Sequence, residues 1–71
     1  MSMSKFNIEL SSVSDRENLV AEIWYENKMI AEVSKESEKP VIEFYFDGKV
    51  SFILDEFLEV LENAKRRIIE R

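Results

Sequence analysis

Residues 51–71, SFILDEFLEVLENAKRRIIER, decide the fold because their apolar side chains recur at helical spacing. At about 100° per residue, most of these side chains fall on one side of a helix. That side carries Leu54, Phe57, Leu58, Leu61, Ala64 and Ile68. The opposite side carries Asp55, Glu59, Glu62 and Arg66. A helix with one apolar side needs a surface to pack on, so the preceding residues are expected to form a sheet.

The charges along this stretch also favour a helix. Acidic residues occupy its first half and basic residues its second half, which complements the helix dipole. If Ser51 capped the helix, Leu54 would stand where a capping box needs glutamate or glutamine. A fifth strand running through Phe52 would also delay the helix. We therefore predict that the ordered helix begins near Leu54.

Four upstream segments have the alternation, or the β-branched and aromatic content, of strands. They are residues 5–10 (KFNIEL), 19–25 (LVAEIWY), 29–34 (MIAEVS) and 41–46 (VIEFYF). Asp47-Gly48 follows as a strong hairpin signal, so a short fifth strand is expected from residue 49 to residue 52 or 53. The sequence thus predicts an α+β fold, an antiparallel five-stranded β-meander with one C-terminal α-helix packed on one face (βββββα).

The turn between the second and third strands decides which side chains share a face of the sheet. A three-residue loop at residues 26–28 separates acidic from apolar side chains and makes Glu22 and Glu32 direct neighbours. A two-residue loop of Asn27 and Lys28 mixes them on both faces. We prefer the three-residue loop, in which Asn27 is able to adopt a positive φ.

With that register, a single helix covers one face of the sheet and leaves the other bare. The covered face is expected to hold Phe6, Ile8, Leu10, Ala21, Ile23, Met29, Ala31, Val33, Ile42, Phe44 and Phe46. The bare face is expected to hold Glu22, Trp24, Ile30, Glu32, Val41, Glu43 and Tyr45. Aromatic and aliphatic side chains exposed among glutamates form a candidate interface. The alternative is an ordinary solvated face of an antiparallel sheet.

Composition excludes several classes of function. With 71 residues, the chain is expected to form a single domain over residues 1–71, with residues 1–4 frayed. It contains no cysteine and no histidine, which excludes disulfides, thiol nucleophiles, imidazole catalysis and ordinary zinc sites. Glu22, Glu32 and Glu43 could bind a divalent cation, but no Asp-rich loop supports such a site. We expect neither enzymatic activity nor a cofactor.

The net charge of −5 bears on partners. It argues against binding to nucleic acid or to an anionic membrane, and it favours either a basic partner or solubility alone. No segment resembles a signal peptide, and none approaches the roughly 20 apolar residues of a membrane span. The expected location is the cytoplasm.

The segment VAEIWYENKMIAEV (residues 20–33), followed by VIEFYF and by FLEVLENAKRRI (residues 57–68), resembles small bacterial proteins of the meander-plus-helix type. Some short acidic proteins of this build are similar to immunity proteins, which neutralise a secreted toxin. The resemblance implies a non-enzymatic protein-binding role, in which a basic toxin is occluded. It carries over no functional residue.

From the bare face we predict partner contacts at Glu22, Trp24, Ile30, Glu32, Glu43 and Tyr45. The alternative is a structural homodimer that buries the same face.

Overall fold

The computed structural model describes residues 5–12, 19–35 and 38–69, so the expected fraying of residues 1–4 lies outside the described part. The described elements, in chain order, are β1 (Phe6–Ser12), β2 (Leu19–Tyr25), β3 (Lys28–Ser34), β4 (Val41–Phe44) and α1 (Leu54–Ile69). The strands form one antiparallel meander in the order β1-β2-β3-β4, and α1 packs on one face of it. The α+β meander with a C-terminal helix is therefore confirmed.

The prediction of a fifth strand is wrong, because the described residues 45–53 contain no strand. Gly48 does adopt a positive φ of 87°, as a turn at this position requires. Further along the chain, the ring of Phe52 packs against those of Phe6 and Tyr25. The centroid of the Phe52 ring lies 5.2 Å from that of Phe6 and 4.9 Å from that of Tyr25. Since Phe52 packs at the β1–β2 side, the segment after Gly48 crosses the end of the sheet instead of pairing with β4.

The β2–β3 hairpin keeps the predicted register away from its turn and loses it near the turn. Ala21, Glu22 and Ile23 pair with Val33, Glu32 and Ala31, as expected. The loop, however, has two residues, Glu26 and Asn27, and Glu26 rather than Asn27 has the positive φ, of 59°.

A β-bulge between Ile23 and Trp24 compensates for the shorter loop. Trp24 pairs with Met29, and Ile30 is the extra residue of β3. Ile30 therefore enters the core, with 5% of its surface exposed, while Met29 lies opposite Trp24 and outside the core. The expected faces of Met29 and Ile30 are thus exchanged.

The core lies between α1 and the first three strands. It consists of Ala21, Ile23, Ile30, Ala31, Val33, Val60, Ala64 and Ile68. No Cα atom of α1 lies within 8 Å of a Cα atom of β4. Four side chains that we expected in the core are therefore exposed on the β4 side, namely Phe44, Phe46, Leu54 and Leu58, and Leu10 is exposed on β1. Val60, which we did not predict, is buried.

The helix begins at Leu54, as predicted. The N–H of Phe57 donates to the carbonyl of Ile53 at 3.0 Å, which makes Ile53 the N-cap residue. An isoleucine side chain cannot accept a hydrogen bond, so Ile53 provides no side-chain cap for the first turn.

We expect Ile53→Asp to raise the free energy of unfolding by about 1 kcal/mol over Ile53→Ala, since aspartate caps the first turn and alanine does not. The Ile53 side chain is 65% exposed, so both variants lose little packing. Urea unfolding followed by circular dichroism measures the difference. Equal stability of the two variants would show that Ile53 is not the effective cap.

Candidate functional site

The face of the sheet opposite α1 carries an unbroken row of glutamates, one from each strand. Glu9 pairs with Glu22, Glu22 with Glu32, and Glu32 with Glu43. Cross-strand partners point to the same face, with Cβ atoms about 4.5–5.5 Å apart. The residues Glu9, Glu22, Trp24, Glu32, Glu43 and Tyr45 are called the acidic outer face below.

Among the described strand residues of this face, no basic side chain interrupts the row. The other strand positions of the same face hold Asn7, Ser11, Val20, Met29, Ser34 and Val41. Like charges placed directly opposite one another destabilise a sheet. The arrangement therefore concentrates negative potential on one flat surface at some cost to the stability of the fold.

Two aromatic side chains flank this row on the side nearer the Glu26–Asn27 turn. The indole Nε1–H of Trp24 donates to Oε1 of Glu22 at 3.2 Å. The hydroxyl of Tyr45 donates to Oε1 of Glu32 at 3.3 Å. Trp24 is half-buried and Tyr45 is 43% exposed, so both rings present apolar surface beside the carboxylates. These bonds place each ring beside a carboxylate of the row.

The pKa of the Tyr45 hydroxyl responds to the negative charges of the row. Partial desolvation, then the negative charges of Glu32 and Glu43 and the hydrogen bond to Glu32, raise the pKa of the Tyr45 hydroxyl above its usual value. Because the folded-state pKa is the higher one, the stabilising contribution is complete below a pH of about 10 and is lost as the pH rises through the raised pKa.

We expect Glu32→Gln to lower the pKa of Tyr45, since the substitution removes one of the charges that oppose ionisation. The ultraviolet absorbance of tyrosinate during a pH titration measures it, and Tyr45→Phe identifies the signal because the chain has two tyrosines. Glu62→Gln, on the exposed side of α1, is the matched control and should leave the midpoint unchanged. An identical shift in both glutamine variants would contradict the proximity of Glu32.

Five of the six predicted contact residues share the acidic outer face, and the sixth does not. Glu22, Trp24, Glu32, Glu43 and Tyr45 lie together, whereas the bulge places Ile30 in the core. Sequence reasoning missed Glu9 as a member of the row. The alternation of residues 5–10 places Glu9 on the polar side of its strand, but it does not identify the neighbour on β2.

Chemical and membrane-related features can be stated for the described residues only. No group of three or more acidic side chains among residues 5–12, 19–35 and 38–69 is arranged to hold a metal ion. The helix that the structure describes, α1, is neither long enough nor apolar enough to cross a bilayer.

A second exposed surface lies on the other side of the sheet, where α1 leaves β4 uncovered. Its exposed apolar side chains are Phe44, Phe46, Val50, Leu54 and Leu58, called the β4–α1 surface below. Unlike the acidic outer face, it contains no carboxylate. The molecule thus presents an acidic face and an apolar face, which differ in the partners that they suit.

Comparison with the models of known protein families, with curated proteins and with solved structures finds no match to this chain.

Proposed function

We propose that this chain is a non-enzymatic protein-binding module of the inhibitor or immunity type, which occludes a basic site on a partner protein. The observation that carries the proposal is the row of four glutamates with Trp24 and Tyr45 bonded to it. A toxin with a cationic active surface is the kind of partner that this role implies.

The energetics of the row favour a bound cation-rich surface. In the free protein each glutamate of the row repels the next one, and lysine or arginine side chains from a partner would replace that repulsion with attraction. The gain on binding is therefore larger than for isolated glutamates on an ordinary surface. The net charge of −5 acts in the same direction, because it steers a basic partner towards the complex.

The aromatic side chains provide the apolar part of such an interface. Trp and Tyr are enriched among the residues that dominate binding energy, where they fill pockets on the partner. Hydrogen bonds place Trp24 and Tyr45 beside the row in the free protein, which lowers the cost of ordering these side chains on binding. An aromatic edge along an acidic strip fits a basic surface that contains an apolar depression.

A homodimer through this same face, the alternative that the sequence suggested, is disfavoured by the charge arrangement. Face-to-face pairing of two copies would oppose two rows of glutamates, and the described strand residues of this face include no basic side chain to separate them. Burying unpaired like charges is strongly unfavourable. We therefore assign the acidic outer face to a foreign partner.

The test compares two variants with the same net charge. Glu22→Gln/Glu32→Gln neutralises the centre of the row, and Glu59→Gln/Glu62→Gln neutralises two exposed acids of α1. Proteins that the wild-type chain retains from its native cell extract are identified by cross-linking, produced in pure form and titrated by calorimetry. We expect the outer-face variant to bind at least about tenfold more weakly, because each close interfacial charge pair contributes about 1.5 kcal/mol or more.

The control variant is expected to bind within a factor of about three of the wild type, with the same dependence on salt. Equal losses in the two variants would attribute binding to net charge alone and would refute a specific site. Unchanged affinity in both variants would move the interface away from acidic side chains altogether.

A further inference from the structure

The two flanks of α1 differ in polarity, and only the flank beside the β4–α1 surface is apolar. Leu54, Leu58 and Leu61 follow one another at helical spacing along the flank that faces β4. The flank that faces β1 is polar, with Glu56, Glu59, Asn63 and Arg67 around a depression beside Phe6. Only the β4 flank therefore has side chains that would gain from leaving water.

The sheet is wider than the helix that covers it. Four strands about 4.8 Å apart span roughly 19 Å with their side chains, and one helix covers about 10 Å. Two open depressions remain along the boundary between β4 and α1. The larger, of about 420 Å³, is bordered by Val41, Ile42 and Leu61, and the smaller, of about 200 Å³, by Phe44, Phe46 and Leu54.

The exposed area is large for a chain of this size. Phe44 is 48% exposed, Leu54 66% and Leu58 52%. Summed over the five side chains of the β4–α1 surface, the exposed area is about 400–500 Å², at roughly 150–250 Å² for a fully exposed aromatic side chain and somewhat less for an aliphatic one. This area is typical of the largest apolar patch on a monomer, which is often functional, and it is a little more than half of the roughly 800 Å² that each partner buries in a standard interface.

We propose that the β4–α1 surface is the contact between two copies of this chain, with their α1 helices antiparallel about a twofold axis. The charges along α1 make this surface complementary to itself. Asp55 lies in the first turn of α1, and Lys65 borders the larger depression beside Leu61, towards the basic end of the helix. In an antiparallel pair the acidic end of each helix meets the basic end of the other.

The energetics of this arrangement favour a second copy over a partner of one sign of charge. The helix dipoles are also antiparallel in such a pair, which is the favourable orientation. In a twofold dimer the apolar flank of one copy contacts the same flank of the other, so one set of side chains forms both halves of the interface. This contact is independent of the proposed function, since it leaves the acidic outer face free.

The first test is the mass of the full chain in solution by light scattering and sedimentation between about 1 and 500 µM, a range that covers the dissociation constants of weak and strong dimers. We expect a dimer for the wild type. Leu58→Asp should weaken dimerisation at least about 100-fold, because it buries a charge at the centre of the contact. Asn63→Asp adds the same charge on the polar flank of α1 and should leave the mass unchanged.

A second test keeps the apolar contact and alters only the charges. Asp55→Lys and Lys65→Glu are each expected to weaken self-association about tenfold, because each opposes like charges. An equimolar mixture of the two variants should associate as strongly as the wild type, since both ends of the mixed dimer then carry opposite charges. A monomeric wild type at 500 µM, a dimeric Leu58→Asp variant, or a mixture no stronger than its components would each overturn the proposal.

Discussion

Ile23→Ala is expected to lower the free energy of unfolding by about 3 kcal/mol, because the truncation leaves a cavity beneath α1. Ile23 lies in the middle of β2, and no part of its surface is exposed. Its neighbours across the strands are Ile8 on β1 and Ala31 on β3. Alanine side chains, such as those of Ala31 and Ala64, cannot extend into the space left behind. The core therefore has little capacity to relax.

The loss is severe relative to the stability that a domain of this size can have. At the usual 0.05–0.15 kcal/mol per residue, the whole domain is stabilised by about 4–10 kcal/mol. Urea unfolding monitored by the fluorescence of Trp24, the single tryptophan of the chain, measures the change. Ile23→Val removes one methyl group and should lose about 1 kcal/mol.

The matched control is Ile53→Ala, the same substitution at a side chain that is largely in solvent. It is expected to change the free energy of unfolding by less than about 1 kcal/mol. If Ile23→Ala were no worse than Ile53→Ala, the helix would not close over β2 as the structure has it.

The predictable parts of the fold are those in which several residues indicate the same strand register. The Ala-Glu-Ile of residues 21–23 and the Ala-Glu-Val of residues 31–33 align acids with acids in only one register. A three-residue loop and a two-residue loop with a bulge both produce that register. They differ only at Met29 and Ile30, so the sequence pattern could not distinguish them.

The extent of the core was less predictable, because hydrophobicity does not show which apolar side chains a single helix can reach. Phe44 and Leu58 match the pattern of core residues in their own elements, yet both side chains are about half exposed. Their exposure follows from the position of α1 over β1–β3. That position depends on the packing of Val60 and Ala64, which no local pattern specifies.

The acidic row was predictable in part. The hairpin signal in residues 19–34 placed Glu22 opposite Glu32, and the alternation of residues 41–46 added Glu43. Glu9 required the β1–β2 register, and the connection of residues 13–18 is too long for a turn rule to set it. The row of four glutamates is therefore apparent only in the structure, where the β1–β2 register is known.

Glu32→Lys is expected to raise the free energy of unfolding by about 1–2 kcal/mol, although it removes the hydrogen bond from Tyr45. Glu32 stands between Glu22 and Glu43, so the substitution converts two repulsive cross-strand pairs into two attractive ones. In a domain of this length, each kcal/mol corresponds to about 4–8 °C in the melting temperature. Thermal unfolding at low and high salt measures the effect, which should diminish as salt screens the charges.

Glu38→Lys is the matched control, since it changes the net charge equally at an exposed position outside the strands. We expect it to alter the melting temperature by less than about 3 °C, in line with ordinary surface substitutions. Equal stabilisation by the two variants would assign the effect to net charge and would contradict the repulsion between neighbouring glutamates of the row.

The same substitution has opposite expected effects on the fold and on the proposed function. Glu32→Lys relieves repulsion in the free protein, yet it places a cation where a basic partner would bind, so affinity should fall by well over tenfold. A surface that serves only to keep the sheet in solution would show the gain in stability without any such loss. A site that is retained for binding keeps its repulsion at the expense of stability, because the repulsion is relieved only in the complex.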